Sequence, residues 1–473
     1  MPEQNNVETQ PTGLKKSLRL VYVYAIAAGA IFTFIGYWDT IFYEYCGAGT
    51  FLGFALMTLL ILPIAMVYCE LAPLFPKAGG ELIYNTVGIN KHVGFLASWL
   101  IMAAWISVPP AVVMAIMTWV NKTFNLGLGT WPMVACAAVL LVLYFLMSIQ
   151  NVQILVKAQA VMLFCNITVT ILTGFILLFS GHWHLSNFGN IFSTTLDSVY
   201  GIPGWVIGMA LLITPFFGFE TVPQMVEEGD FPIKDSNKAI LGSIVTCGII
   251  YALFFFGLGG MPVQPLVEEG GAAVGGFLAI TMMEQLGGGW GVFAVVFGIA
   301  AILCAIGTCL LGFWLSTVRL MYAMGENNFL PKVFTKVNRH QQPILPNILL
   351  LAISLVFLLL QNATTFMNDF FNLMSFGCAC AYAITMISAM RIHKNHPELA
   401  SPYKLRGGNF TRVLALIIAV AIAFFCTLGQ SAGSWKSFGI YLGIGALLWL
   451  WMVLVNWKKK KVTIETVAGT KEY

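Results

Sequence analysis

Few side chains in this chain can do chemistry, and they stand out against an apolar background. Asp39 and Glu220 each lie within long apolar runs, and Glu227, Glu228 and Lys234 follow closely after Glu220. A charge at bilayer depth costs about 2.5–3.5 kcal/mol on an insertion scale, so such a residue faces a cavity or a partner. Asp39 can pair with an amine on a bound solute, or sit wet in the outer half of its helix. Glu44, further out, reads as a surface residue. Glu220 follows Gly218 and can either carry a proton, since burial disfavours the charged form, or accept backbone N–H groups. Glu227, Glu228 and Lys234 can tie that segment's end to its loop and gate it.

Other chemistries find little support. The ten cysteines are scattered through apolar runs, Cys69, Cys136, Cys165, Cys247, Cys304 and Cys309 among them. Cys378 and Cys380 are one residue apart, which is not a C-x-x-C redox pattern. They read as small packing residues. The six histidines fall in or beside expected loops, and His182 with His184 supplies only two ligands where zinc needs three or four. Neither G-x-S-x-G nor H-E-x-x-H occurs. The expectation is a protein that is not an enzyme and has no metal or cofactor.

The elements that position these acids must be membrane helices. Of 473 residues, 59% are hydrophobic and 9% charged, against about 25% charged in a typical soluble domain. Mean hydropathy is +0.84, and a soluble surface cannot hide that much apolar side chain. Spanning helices need about 20 apolar residues. Twelve segments qualify: 20–45, 50–72, 94–119, 131–150, 156–180, 204–226, 239–261, 290–322, 345–361, 368–391, 411–429 and 437–457. The first and sixth are interrupted by Gly, Pro or charge. Irregular backbone at that depth survives only where it is buried in protein or lines a cavity, so these two spans are where a site belongs. Pro109-Pro110 removes two N–H donors from the third and kinks it there.

With the N-terminus in the cytoplasm and the spans alternating, all of the 24 Lys and Arg except Lys122 and Lys436 fall on the cytoplasmic side, as the positive-inside rule requires. This accounts for the net charge of +4 without a nucleic-acid partner. The Lys458–Lys461 run reads as an anchor near anionic lipid. Residues 1–14 are polar, contain Pro2 and Pro11 and read as a tail; no cleavable signal peptide is visible. Residues 257–291, with Glu268, Glu269 and Glu284, read as an outer loop containing short partial helices.

Three motifs carry a family resemblance. After the second span stand Glu70-Leu71-Ala72, Pro76-Lys77-Ala78-Gly79-Gly80-Glu81, Tyr84, Gly88, Gly94-Phe95 and Trp99. The sixth span holds Phe217-Gly218-Phe219-Glu220, then Glu227-Glu228, Pro232 and Lys238-Ala239-Ile240. The eighth ends in Arg319, Tyr322-Ala323, Asn328 and Pro331, with Pro346 beyond. In this order the chain resembles the amino acid/polyamine/organocation permeases over residues 20–360.

The resemblance implies an all-α, leucine-transporter-like fold: two inverted repeats of five helices plus two peripheral ones, with helices 1 and 6 discontinuous and substrate bound at the breaks. It divides the chain into an N-terminal tail 1–19, a transport core 20–391 with halves near 20–180 and 204–391, a loop with helices 11–12 at 392–457, and a C-terminal tail 458–473. An unwound helix exposes N–H groups at one end and C=O groups at the other, which suits a carboxylate and an ammonium. Residues placed at the first break are Ala30, Ile31, Thr33, Phe34, Gly36, Tyr37 and Asp39. Phe34 and Ile35 stand where the family has glycines and permit less close approach. Thr214, Phe216, Phe217, Gly218 and Phe219 form the second break and its walls, Pro109 flanks the cavity, and Phe313 resembles the aromatic that closes over substrate.

For coupling, some relatives carry a lysine within helix 5. Here Lys157 lies at that helix's start as an anchor, and the deeper matching position is Asn166. Thr308, Ser316 and Thr317 can ligate sodium or bond back to their own helix. The implied function is secondary transport of an amino acid or small amine, by ion-coupled symport (proton or sodium) or by exchange. A polyamine or ethanolamine-like amine, or a nutrient sensor without flux, are the other readings. The implied setting is the cytoplasmic (inner) membrane, multi-pass, both termini cytoplasmic, as monomer or homodimer.

Overall fold

The computed structural model describes residues 14–189, 191–268, 277–363, 366–458 and 460–473. Glu269 and most of the expected N-terminal tail lie outside the described residues. The helices are α1 (Leu20–Ile31), α2 (Asp39–Cys46), α3 (Thr50–Leu71), α4 (Gly80–Gly88), α5 (Lys91–Thr123), α6 (Thr130–Ser148), α7 (Val152–Leu178), α8 (Gly204–Leu211), α9 (Val222–Met225), α10 (Ser236–Gly259), α11 (Gln264–Glu268), α12 (Leu278–Leu286), α13 (Gly289–Gly298), α14 (Ala305–Glu326), α15 (Ile344–Ala363), α16 (Phe366–Asn395), α17 (Asn409–Phe425) and α18 (Ala432–Trp451). A π-helical stretch, Ile299–Cys304, joins α13 to α14.

The chain is a mostly helical, polytopic membrane protein. Among the described residues, nine helical runs are long and apolar enough to cross a membrane, and three shorter apolar helices, Leu20–Ile31, Ile344–Leu360 and Asn409–Phe425, fall on the first, ninth and eleventh expected spans. Helix α1 is central. It packs on α7, α10 and α14, and every residue from Ala25 to Ile31 is buried. Its run of alanines and Gly29 allows close helix approach, the device membrane helices use in place of a hydrophobic drive. A Cβ on Gly29 would stand 2.8 Å from the Thr308 Cβ of α14. The peripheral α6 and α18 instead show much of their surface, with Val139, Leu447 and Trp131 exposed, as lipid-facing helices do.

The all-helical expectation needs one amendment. Thr463–Thr466 and Gly469–Glu472 form an antiparallel hairpin, β1–β2. Its β-branched, alternating sequence turns at Gly469, whose φ is +114°, a conformation that favours glycine. Residues 460–473 are therefore folded. Val462 and Ile464 are fully buried, the Val467 N–H donates to the Leu74 carbonyl at 3.1 Å, and Lys471 pairs with Glu398. Between Gly259 and Gly289 the expected short helices are α11 and α12.

Candidate functional site: two facing helix breaks

The first break separates α1 from α2. Thr33 Oγ1 bonds back to the Gly29 carbonyl at 2.8 Å, and Gly36 takes φ +94°, so the helical ladder ends and restarts at Asp39. The freed backbone is held by side chains from elsewhere. Tyr251 of α10 donates to the Ile31 carbonyl at 2.7 Å and accepts from Phe34 N–H at 3.4 Å. Asn166 of α7 donates to the Phe32 carbonyl at 3.2 Å, and Thr170 steadies that amide at 3.1 Å.

The second break follows α8. Pro215 sits in a single 3-10 turn, Thr214–Phe216. Phe217 is extended, Gly218 takes φ +143°, and a second turn, Phe219–Thr221, leads into α9. The two breaks touch. A Cβ on Gly218 would lie 2.8 Å from the Ala30 Cβ and 3.1 Å from the Ile31 nitrogen. Thr221 Oγ1 closes the turn on the Gly218 carbonyl at 2.6 Å.

Glu220 binds this break together. One carboxylate oxygen accepts from Gly218 N–H at 2.7 Å and from the Tyr382 hydroxyl at 2.9 Å; the other accepts from the Trp105 indole at 3.2 Å. Three donors can hold a buried carboxylate without a cation. Pro109 and Pro110 lie four residues beyond Trp105 and Ile106 in α5, where their missing N–H groups free those two carbonyls beside the break. α5 is helical straight through both prolines.

The remaining predicted residues divide between wall and scaffold. Phe34, Phe217 and Phe313 keep 3–6% exposure, with Phe34 beside Trp38 and Phe42 and Phe217 against Tyr382. Thr214 meets Ser375 of α16 at 3.0 Å. Phe216 instead joins an aromatic stack with Phe54 and Tyr251, and Phe219 packs on Tyr68 and Tyr382; both are fully buried scaffold. Tyr37 rests on Phe277 and Trp38. Asp39 is buried, and its two oxygens accept from Leu278 and Ala279 N–H at 3.2 and 3.1 Å, capping the N-terminus of α12. The cation nearby, Lys122, donates to Thr281 at 2.8 Å.

Thr308, Ser316 and Thr317 each donate to a carbonyl of their own helix, at 2.7–2.8 Å. Also in α7, the Gln159 amide donates to the Ala25 and Thr308 carbonyls at 3.3 and 3.1 Å. Among the described residues no group of three His, Cys, Asp or Glu could hold a metal.

One end of the bundle is locked by ion pairs. Glu227 takes Lys77 at 3.1 Å and Ala78 N–H at 3.2 Å. Glu228 takes the Arg319 guanidinium at 2.7 and 3.1 Å, fully buried, and Arg319 also reaches Gln342 at 2.9 Å. Ser17 and Leu18 N–H both donate to the Glu228 carbonyl at 2.9 Å. Lys234 is exposed and makes no ion pair among the described residues; the cations paired with Glu227 and Glu228 are Lys77 and Arg319. Neither was assigned that role from sequence, although both stand in the motifs quoted above; a basic residue beside an acidic pair in three dimensions leaves no local signal.

Residues 18–451 match the model of the amino acid permease family. The chain belongs to that family, within the amino acid/polyamine/organocation superfamily. The permease is similar to three proteins of Bacillus subtilis (strain 168). It is 25% identical to the glutamate/serine transporter AimA, over 87% of this chain and 80% of that one. It is 22% identical to a methylthioribose transporter, over 91% of each, and 24% identical to an aspartate-proton symporter, over 83% of this chain and 74% of that one. The permease is thus an amino acid transport protein of the membrane.

Proposed function

We propose that this permease is a secondary active transporter of a zwitterionic amino acid with an uncharged side chain, working by alternating access. Twelve spans in two inverted repeats, with both termini in the cytoplasm, complete the reading. The observation that carries it is the direct contact of the two breaks at Gly218 and Ala30, with backbone dipoles of both converging there. An uncharged side chain is favoured because the acids near the breaks are already engaged: Asp39 by α12 and Glu220 by Gly218, Trp105 and Tyr382. Asp39 is then a clamp on the outer loop, and its assignment to a substrate amine gives way to that role. The locked end, which carries most of the positive charge, is the cytoplasmic side, and the chain is closed there.

The test is uptake of radiolabelled L-serine, L-glutamate, L-aspartate, L-leucine and L-arginine by proteoliposomes of the purified protein, with and without a proton or sodium gradient. Uptake of serine or leucine driven by either gradient supports the reading. Uptake confined to the charged amino acids overturns the uncharged side chain, and uptake only against an internal counter-substrate replaces symport with exchange. Stabilisation of the protein by an amino acid without any flux would make it a sensor.

A further inference from the structure

Four acids, three of them buried and Glu227 partly so, lie along the path from the second break to the locked end, and three are compensated. Glu220 has three donors, Glu228 has Arg319, and Glu227 has Lys77 with Ala78 N–H. The fourth is Glu81. It stands in the first turn of α4, between the second and third spans, and is fully buried. Gly79 and Gly80, at φ +134° and +38°, bring this turn against α9: a Cβ on Gly80 would lie 2.6 Å from the Gln224 amide nitrogen.

The Glu81 carboxyl has one donor, that same Gln224 amide, at a long 3.3 Å. Its other oxygen has no partner. Neither has the Gln224 carbonyl oxygen, nor the Tyr68 hydroxyl that stands against the carboxyl. Tyr68 is walled in by Tyr84, Phe219 and Tyr382. Other titratable groups facing Glu81 are Tyr84 of its own helix, Cys378 of α16 and Glu220. None is a cation, no cation of α5 or α14 pairs with it, and no described ion pair includes it. A buried carboxylate so placed would be an uncompensated charge. A proton on the free oxygen removes the charge and turns an acceptor without a partner into a donor for the orphaned oxygens beside it.

We propose that Glu81 is a proton site of the transport cycle, protonated in this closed form and deprotonated when α4 parts from Gln224 and Tyr68. Gln224 lies between Glu220, at the break, and Glu227 and Glu228, at the lock, so opening the lock moves the group that shelters the proton. Burial, and then the charge of Glu220, raises the Glu81 carboxyl from 4.5 to about 8. The sign follows: the closed form's advantage is complete below 4.5 and is lost as pH rises through about 8. Once opened to a near-neutral cytoplasm, Glu81 reverts toward the ordinary carboxylate range and releases the proton there. This deepens the transport reading by naming the coupling ion, and rests on that reading for its role in flux.

The experiment has a substrate-free arm and a transport arm, both on the full-length protein in liposomes. In the first, infrared difference spectra are recorded across 4.5 to about 8. A protonated-carboxyl carbonyl band that titrates in this window, disappears in Glu81→Gln and persists in Glu220→Gln is expected. In the second, Glu81→Gln exchanges L-serine at the wild-type rate but loses gradient-driven accumulation by about tenfold or more, a step of at least 1.4 kcal/mol in the driving force. Gln is close to isosteric with the protonated acid, so the fold is kept. An unchanged band, or accumulation at the wild-type level in Glu81→Gln, overturns the proposal. If the wild type moves no L-serine, the transport reading for that solute fails while the infrared arm still decides Glu81.

Discussion

The two helix breaks solve one problem with different chemistry. At the first, the freed backbone is met by neutral groups, the Tyr251 hydroxyl and the Asn166 amide. At the second it is met by a carboxylate that also gathers a tyrosine and an indole from two other helices. Neutral hydrogen bonds contribute about 1 kcal/mol each, and those to a charge about 1.5–3 kcal/mol. The first break is therefore the softer of the two. In the proposed alternating-access cycle the softer break is the one expected to tilt.

Replacing Glu220 is the strongest way to break the comparison. Glu220→Ala leaves three buried donors without an acceptor and should cost about 3–5 kcal/mol, with transport lost and a clearly lower melting temperature. Unchanged melting would mean that the second break is not held by this carboxylate. Next is Gly218→Ala. Its φ of +143° and the 2.8 Å approach to Ala30 forbid a side chain, at about 1–3 kcal/mol of strain. Uptake should fall by about tenfold or more with the protein still in the membrane, whereas Gly36→Ala, at the softer break, should fall less.

Tyr251→Phe removes the 2.7 Å bond to Ile31 and should cost about 1 kcal/mol, raising hydrogen exchange at Phe34 N–H relative to Gly218 N–H. An equal rise at both would erase the distinction. The smallest effect belongs to Lys77→Met. Its ion pair is 40% exposed on the lysine side and is worth about 0–1 kcal/mol, while Arg319→Met in the buried pair should cost about 3–5 kcal/mol. Paired melting curves of the two variants rank the halves of the lock.

Much of the architecture was readable in the chain. Segments of about 20 apolar residues and the breaks near Gly36 and Gly218 are local properties, and the positive charges gave an expected orientation. The partners of the acids were not readable. Asp39 has the chemistry to hold an amine, yet it meets the N-terminus of a helix that starts at Leu278. Glu81 was visible only as one residue of a motif, because burial and the lack of a donor are facts about Gln224 and Tyr68, remote in sequence. Lys234 and Lys77 look alike as isolated lysines; only the position of Glu227 separates them.

The amino-acid sequence alone determined that this protein lives in a bilayer and interrupts two of its spans. Those outcomes follow from composition and from glycine and proline acting on their own backbone. Tertiary structure alone decided which buried acid is compensated and how. Helices that are apolar on nearly every side carry no facing signal, so the meeting of Glu220 with Trp105 and Tyr382 exists only once the bundle is packed.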